Sequence, residues 1–243
     1  HIKRRFKHVI GLGFYSEGAK LRSIFSYDQE ETFDIATSKA QITSQKMGKP
    51  NYANVSPTGN TVALWGFRGK NAQLHLYSLP DWKQLNTIKV DGHYVTDVAF
   101  STDGHKLFTI SSASTLQTWD LEKETPIANR TLKADHPRNL AISADGKTAA
   151  VSFPDEHKVL LCELDQKTEA SSLPIPDTKT TALDLSPRKP MLAVACDDWT
   201  IQLLDLDTKS KVRKLEGHFG EITNLQFSKD GSQIYSASRD GTI

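Results

Sequence analysis

The sequence predicts an all-β fold of repeated four-stranded antiparallel units, and three observations carry that reading. The first is a hairpin. Val95 to Ile110 reads as an alternating apolar strand (Val95, Val98, Phe100), a Ser101-Thr-Asp-Gly104 turn and a second strand from Leu107. Asp-Gly between two such runs is a strong hairpin signal, because glycine takes the positive φ the turn needs at no steric cost. The second is recurrence. Turns beginning at Tyr15, Ser56, Ser101, Ser143, Ser186 and Ser228 stand 41, 45, 42, 43 and 42 residues apart. The third is an independent landmark 18 to 21 residues after each of the first five: Phe33-Asp34, Tyr77-Ser78, Trp119-Asp120, Cys162-Glu163 and Leu204-Asp205. These pairs are expected on the fourth strand of each unit. Two landmarks that keep one period argue for a single repeated body.

A period in the low forties, four short strands per unit and a Gly-His…Trp-Asp signature belong to a β-propeller, whose blades are four-stranded sheets arranged radially. The chain resembles the WD-repeat β-propellers over nearly its whole length. The likeness is most specific at Trp119-Asp120 and along Gly217-His218 to Ile243. Elsewhere the copies are eroded: one of five complete copies keeps its Trp, and the fifth turn reads Ser186-Pro-Arg-Lys189. The resemblance implies five full blades and a partial sixth of a seven-bladed propeller.

The blades are expected at about 8–44, 45–89, 90–132, 133–175, 176–216 and 217–243, the last incomplete. Residues 1–8 form a short basic entry, and 9–14 are already a first strand. Asp34-Ile-Ala-Thr-Ser-Lys39 and Asp205 to Lys211 resemble the Asp-x-x-Thr-Gly-Lys turn of the family, in which Asp and Thr side chains cap the backbone. In the second blade Val62 to Phe67 is the second strand, and Gln73 to Tyr77 runs across the third and fourth. The long spacing there is assigned to a lengthened loop at Arg68-Gly-Lys-Asn71. Trp65 reads as core, His75 points away from Leu74 and Leu76, and Trp82 lies over the blade edge or at the rim. In the fourth blade Leu173-Pro-Ile-Pro-Asp177 reads as a connector, since proline is excluded from central strands.

Composition narrows the function classes. With 30 basic and 29 acidic residues the formal charge is +1, so no global field attracts nucleic acid or an anionic membrane. No apolar run approaches a membrane span, and no signal-peptide pattern is present. Cys162 and Cys196 fall in strands and read as buried hydrophobes of a reducing compartment. An intracellular protein, cytoplasmic or nuclear, is expected.

The resemblance also implies an internal hydrogen-bonded tetrad: a His before the first strand, a Ser or Thr on the second, an Asp in the turn before the third, and the Trp. Here it maps onto His218, Ser236 or (preferred) Ser238, and Asp240, with Trp119 as the surviving tryptophan. The other blades have Tyr27, Arg68, Ala113, Asp155 and Asp198 at the Asp position. His93 sits in a connection two residues shorter than that of His218. The His–Asp–Ser set is expected to be structural, because a catalytic serine must be an exposed nucleophile. No phosphate-loop, nucleophile-elbow or zinc motif occurs, so no catalytic residue, metal or cofactor is expected. The expected function is a non-catalytic scaffold for protein or peptide partners. Nucleic acid would be met only through a larger complex, such as one assembling ribosomes. The contrasting reading is a propeller enzyme with a central site. Partner contact is expected where turns between second and third strands open with the connections: Tyr27, Arg68, Ser112, Asp197, Trp199, Phe219 and Arg239. A basic run at Lys209, Lys211, Arg213 and Lys214 is the rival surface.

Overall fold

The computed structural model describes residues 9–15, 20–25, 29–34, 39–44, 49–67, 70–79, 81–166, 168–175 and 178–243. The basic entry, the Arg68-Gly69 step and most of the Asp34–Lys39 turn lie outside the described residues. Five sheets have four strands each, in chain order. The first is β1 (Val9–Tyr15), β2 (Lys20–Phe25), β3 (Gln29–Asp34) and β4 (Lys39–Ser44). The second is β5 (Tyr52–Val55), β6 (Thr61–Phe67), β7 (Lys70–Ser78) and β8 (Gln84–Lys89). The third is β9 (Val95–Phe100), β10 (Lys106–Ser111), β11 (Thr115–Asp120) and β12 (Thr125–Thr131). The fourth is β13 (Leu140–Ile142), β14 (Thr148–Phe153), β15 (Lys158–Glu163) and β16 (Ser171–Pro174). The fifth is β17 (Thr180–Leu185), β18 (Met191–Cys196), β19 (Ile201–Asp205) and β20 (Ser210–Leu215). A sixth sheet pairs β21 (Ile222–Phe227) with β22 (Ile234–Ser238).

The landmark pairs close the third strand of each unit, not the fourth: Trp119-Asp120 ends β11 and Leu204-Asp205 ends β19. The aspartate explains the placement. Its carboxylate accepts amides from the turn that follows, Glu122 and Lys123 at 3.0 and 2.9 Å for Asp120, and Asp207 and Thr208 at 3.0 and 2.7 Å for Asp205. Such a capping residue belongs immediately before the turn into the last strand. The long second unit carries its extra residues in a longer hairpin, with Gln73 to Tyr77 inside the single nine-residue strand β7. Leu173 and Pro174 end the outer strand β16 instead of starting a connector, a place where the missing proline N–H costs no ladder bond.

The chain forms two compact units, one of residues up to 111 with 117–129, the other of 112–116 with 130–243. Within the first, β5 adjoins both β1 and β9; within the second, β17 adjoins both β13 and β21. Within each unit, first strands of successive sheets are therefore neighbours, and those sheets pack face against face. Strand β18 shows how alternation serves two interfaces at once. Leu192, Val194 and Cys196 pack with Val159 and Leu173 of the fourth sheet. Ala193 and Ala195 pack with Ile222, Leu225 and Phe227 of the sixth. An inner strand buried on both faces reads as a continuous apolar run. Outer strands lack a second interface, and β12 and β20 are exposed along most of their length.

Each first strand but two carries the same irregularity. The ladders β1–β2, β9–β10, β17–β18 and β21–β22 skip one residue: Ile10, Thr96, Thr181 and Thr223. All four lie five residues before the turn position that defines the repeat. A bulge of this kind bends the strand and sharpens its twist.

Candidate partner-binding surface

The second unit presents a row of turns between second and third strands, each held to the connection that enters its sheet. In the fourth sheet Glu156 Oε1 accepts the Asp135 amide at 2.8 Å. In the fifth Asp197 Oδ1 accepts the Lys179 amide at 3.0 Å, while the Asp197 amide donates to the Lys179 carbonyl at 2.9 Å. In the sixth Asp240 Oδ2 accepts the Phe219 amide at 2.8 Å. Turn and connection thus share one edge, and a carboxylate bolts them together. The clamp uses residues 13, 11 and 12 positions after the turn serine, so aligned copies do not display it.

Asp240 has further partners. Its Oδ1 accepts from the Thr242 hydroxyl at 2.6 Å, and its Oδ2 lies 3.0 Å from His218 Nδ1. The Thr242 hydroxyl, the Phe219 amide and the His218 ring together hold the carboxyl far below the usual range. His218 Nε2 meets Ser236 Oγ at 2.8 Å. Ser236, not Ser238, is therefore the serine of the array. Ser238 Oγ donates instead to the Gly220 carbonyl at 3.0 Å and accepts the Asp240 amide at 3.1 Å. The physical reason is strand alternation combined with register. Ser236 stands eight residues after its turn serine, where Thr109 stands in the third sheet. Thr109 Oγ1 correspondingly takes the indole N–H of Trp119 at 3.4 Å. The third sheet thus holds the Trp half of the expected tetrad, and the sixth holds the His–Asp half.

The predicted contact residues divide into two kinds. Tyr27 and Arg68 lie outside the described residues. Ser112 is half-buried in the β10–β11 turn, and the carboxylate of Asp197 is committed to its connection. Trp199, Phe219 and Arg239 project. Phe219 is 84% exposed and Trp199 47%. Arg239 Nε meets Glu221 at 3.2 Å on the surface. Trp199 also adopts φ 66°, the left-handed conformation that Gly241 takes at the same turn position in the sixth sheet. A bulky residue there stores strain of order 1 kcal/mol. Its exposure and its backbone both favour glycine, and tryptophan stands in its place.

Charged groups around these side chains are mostly paired. Lys179 Nζ lies 2.7 Å from Asp155, whose carboxyl it holds below the usual range, and Lys214 lies 3.3 Å from Asp198 and from Glu216. Lys209, Lys211 and Arg213 are exposed on the outer strand and the turn before it. Trp65 is core and stacks with Tyr52 at 5.5 Å; Trp82 is buried beside Tyr77 rather than at the rim. Among the described residues no group of three or more His, Cys, Asp or Glu could hold a metal ion. Both cysteines are free and buried, and burial pushes the Cys162 thiol up to about 11. Among the described residues no helix is long and apolar enough to cross a membrane.

Successive four-stranded sheets, Ser-x-Asp-Gly turns and a His–Asp–Ser array joining strand to turn define a WD-repeat chain of the β-propeller class. The chain belongs to the family described as "Domain of unknown function (DUF7165)", whose model matches residues 94–242. It is similar to the U3 small nucleolar RNA-associated protein 21 homolog of Schizosaccharomyces pombe, 45% identical over 53 residues, covering 22% of this chain and 6% of that protein. Transcription factor unc-37 of Caenorhabditis elegans is 26% identical over 164 residues, 63% of this chain and 26% of that protein. The LST8 homolog of Drosophila melanogaster is 25% identical over 202 residues, 79% of this chain and 63% of that protein. The chain thus spans less than two thirds of the length of each of these relatives.

Proposed function

We propose that the chain is a non-catalytic scaffold that binds protein partners inside the cell, with Trp199, Phe219 and Arg239 as its principal contacts. One observation carries the reading. Two large aromatic rings stand in solvent on turns whose polar groups are already used to hold the turns together. Exposed aromatic and arginine side chains on a stiff frame are what binding hot spots are enriched in. The His218–Asp240–Ser236 array resembles a hydrolase triad in order, but Ser236 sits in the middle of a paired strand, opposite Leu225. A nucleophile needs open approach and donors for the developing oxyanion; this serine ties strand to turn instead.

The test replaces Trp199, Phe219 and Arg239 together by alanine. The melting curve is expected to stay unchanged, and lysine-directed chemical cross-linking is expected to trap a defined partner on the unsubstituted protein. Loss of that partner in the triple variant supports the surface. Retention there, with loss on charge reversal of Lys209, Lys211 and Arg213, moves the site to the outer strand. A second reading, a subunit of a ribosome-assembly particle, draws support from the 45% identity to a small nucleolar RNA-associated protein. It differs in its readout, which is RNA-dependent co-sedimentation.

A further inference from the structure

In each unit a groove opens between two successive sheets on the edge carrying the Ser-x-Asp-Gly turns. In the first unit, the groove between the second and third sheets encloses about 160 Å³. Leu76, Ile88, Trp119 and Leu121 form its apolar walls, and Asp103, Asp120, Glu122 and Glu124 rim it. No lysine or arginine lines it. The volume is too small for an ordinary cofactor and suits one long side chain.

The repeat supplies an internal comparison. In the second unit, the groove between the fourth and fifth sheets has a volume of about 560 Å³ and mixed charge, with Arg188, Lys189 and Lys209 among its lining residues. Counted from the turn serine, Arg188 stands where Asp103 does, Lys189 where Gly104 does, and Lys209 where Glu124 does. One architectural position therefore carries carboxylates in one unit and cations in the other. Turn capping accounts for Asp103, which accepts the Ser101 hydroxyl and the His105 amide, and for Asp120, which accepts the Glu122 and Lys123 amides; it does not account for the charge at Glu124. Glu124 and Lys209 even share the same left-handed backbone, φ 56° and 54°.

The geometry points to a binding slot for an arginine side chain, presented by an extended segment of a partner protein, between the second and third sheets. The apolar walls would take the arginine stem. The half-buried indole of Trp119, anchored by its bond to Thr109, offers a face to the guanidinium. The carboxylates supply the forked acceptors that guanidinium favours. Two rim carboxylates have local partners: His105 Nδ1 lies 2.9 Å from Glu122 and Lys123 Nζ lies 3.5 Å from Asp120. Asp103 and Glu124 form no ion pair among the described residues. The Ser101 hydroxyl on Asp103 and the Lys123 amide on Asp120 hold these two carboxyls below their ordinary range. The slot shares no residue with the Trp199 and Phe219 surface, so either proposal could fail without the other.

The test measures fluorescence polarisation of a fluorescein-labelled Gly-Leu-Arg-Leu-Gly peptide on the full chain. Its controls carry citrulline or glutamate in place of arginine. Citrulline keeps the shape of arginine and removes its charge. The arginine peptide is expected to bind about tenfold tighter than the citrulline peptide and to weaken as salt rises from about 50 to 500 mM. Glu122→Gln with Glu124→Gln should erase most of that preference with an unchanged melting curve. Glu124→Lys, which copies the second unit, should do so by a single exposed change. Lys209→Gln should leave binding as it was. Equal affinity for arginine and citrulline, no measurable binding of either, or equal loss from Lys209→Gln would each overturn the proposal.

Discussion

Ser236 holds the His218 ring to β22 through a single hydrogen bond, and removing it leaves Nε2 of a largely buried imidazole without its partner. Ser236→Ala is therefore expected to cost about 1–2 kcal/mol of stability, measured by urea unfolding. If the array is a brace, any rate of ester hydrolysis measured on the parent should be unchanged by the substitution. A variant as stable as the parent would show that the array is not a strand-to-turn brace. At this scale the sequence announced His218 and Asp240 clearly, because Gly-His and Asp-Gly keep their spacing from the last turn. It did not separate Ser236 from Ser238. Both are small polar residues on one strand, and only the pairing register decides which faces the histidine. The turns were legible for a chemical reason. The Ser101 hydroxyl donates to Asp103 while accepting the Lys106 amide, and Ser143 and Ser228 repeat the pattern. Gly104 completes it at φ 75°, with a Cβ there falling 2.9 Å from Thr58 Oγ1.

At the scale of the element, the innermost strands are joined by side chains that alternation alone does not reveal. Asn54 of β5 donates to the Val98 carbonyl of β9 at 3.1 Å. Asp184, at the same repeat position in β17, accepts the Phe227 amide of β21 at 2.7 Å and that of Leu185 at 3.0 Å. Burial pushes the Asp184 carboxyl up to about 6, against the opposing pull of those two amides. A carboxyl whose pKa is raised on folding favours the folded state when protonated. Its contribution is therefore most favourable below about pH 4 and is lost as the pH rises through 6. The shift corresponds to about 3 kcal/mol. Asp184→Asn removes this dependence, so the stability gap should move by about 3 kcal/mol in favour of the variant between pH 4 and pH 8. Denaturant midpoints across that range decide it, and a constant gap would mean that the carboxylate is not confined between the strands. The displaced landmark has a related lesson. Trp119-Asp120 marks a strand end unmistakably, but which of four strands it ends depends on where the next turn is capped, and only the amide bonds to Asp120 show that.

For the whole molecule, the period of the sequence was its most legible property, because each copy must offer apolar side chains to two neighbouring sheets while its turns stay polar. The divergence between copies was less legible. The carboxylate clamps occupy three different register positions, and the two grooves differ in charge at sites that alignment treats as equivalent.

The bulge at the entry to the first strands has a consequence in time. The extra residue stands outside the ladder, so its amide lacks the partner that shields its neighbours from solvent deuterons. Opening at these points requires no rupture of the sheet. Under native conditions the amides of Thr96, Thr181 and Thr223 should therefore exchange ahead of Ile110, Ala195 and Ala237, which pair with the residues that follow the three bulges. Hydrogen–deuterium exchange followed by mass spectrometry would resolve early labelling at these three positions, which stand 85 and 42 residues apart and skip the fourth sheet, whose first strand has no bulge. Uniform protection through those three positions would mean that the bulges are closed by bonds outside the ladder. If the early labelling is there, the chain loosens at its bulges, so that a single blade can breathe while its neighbours stay shut.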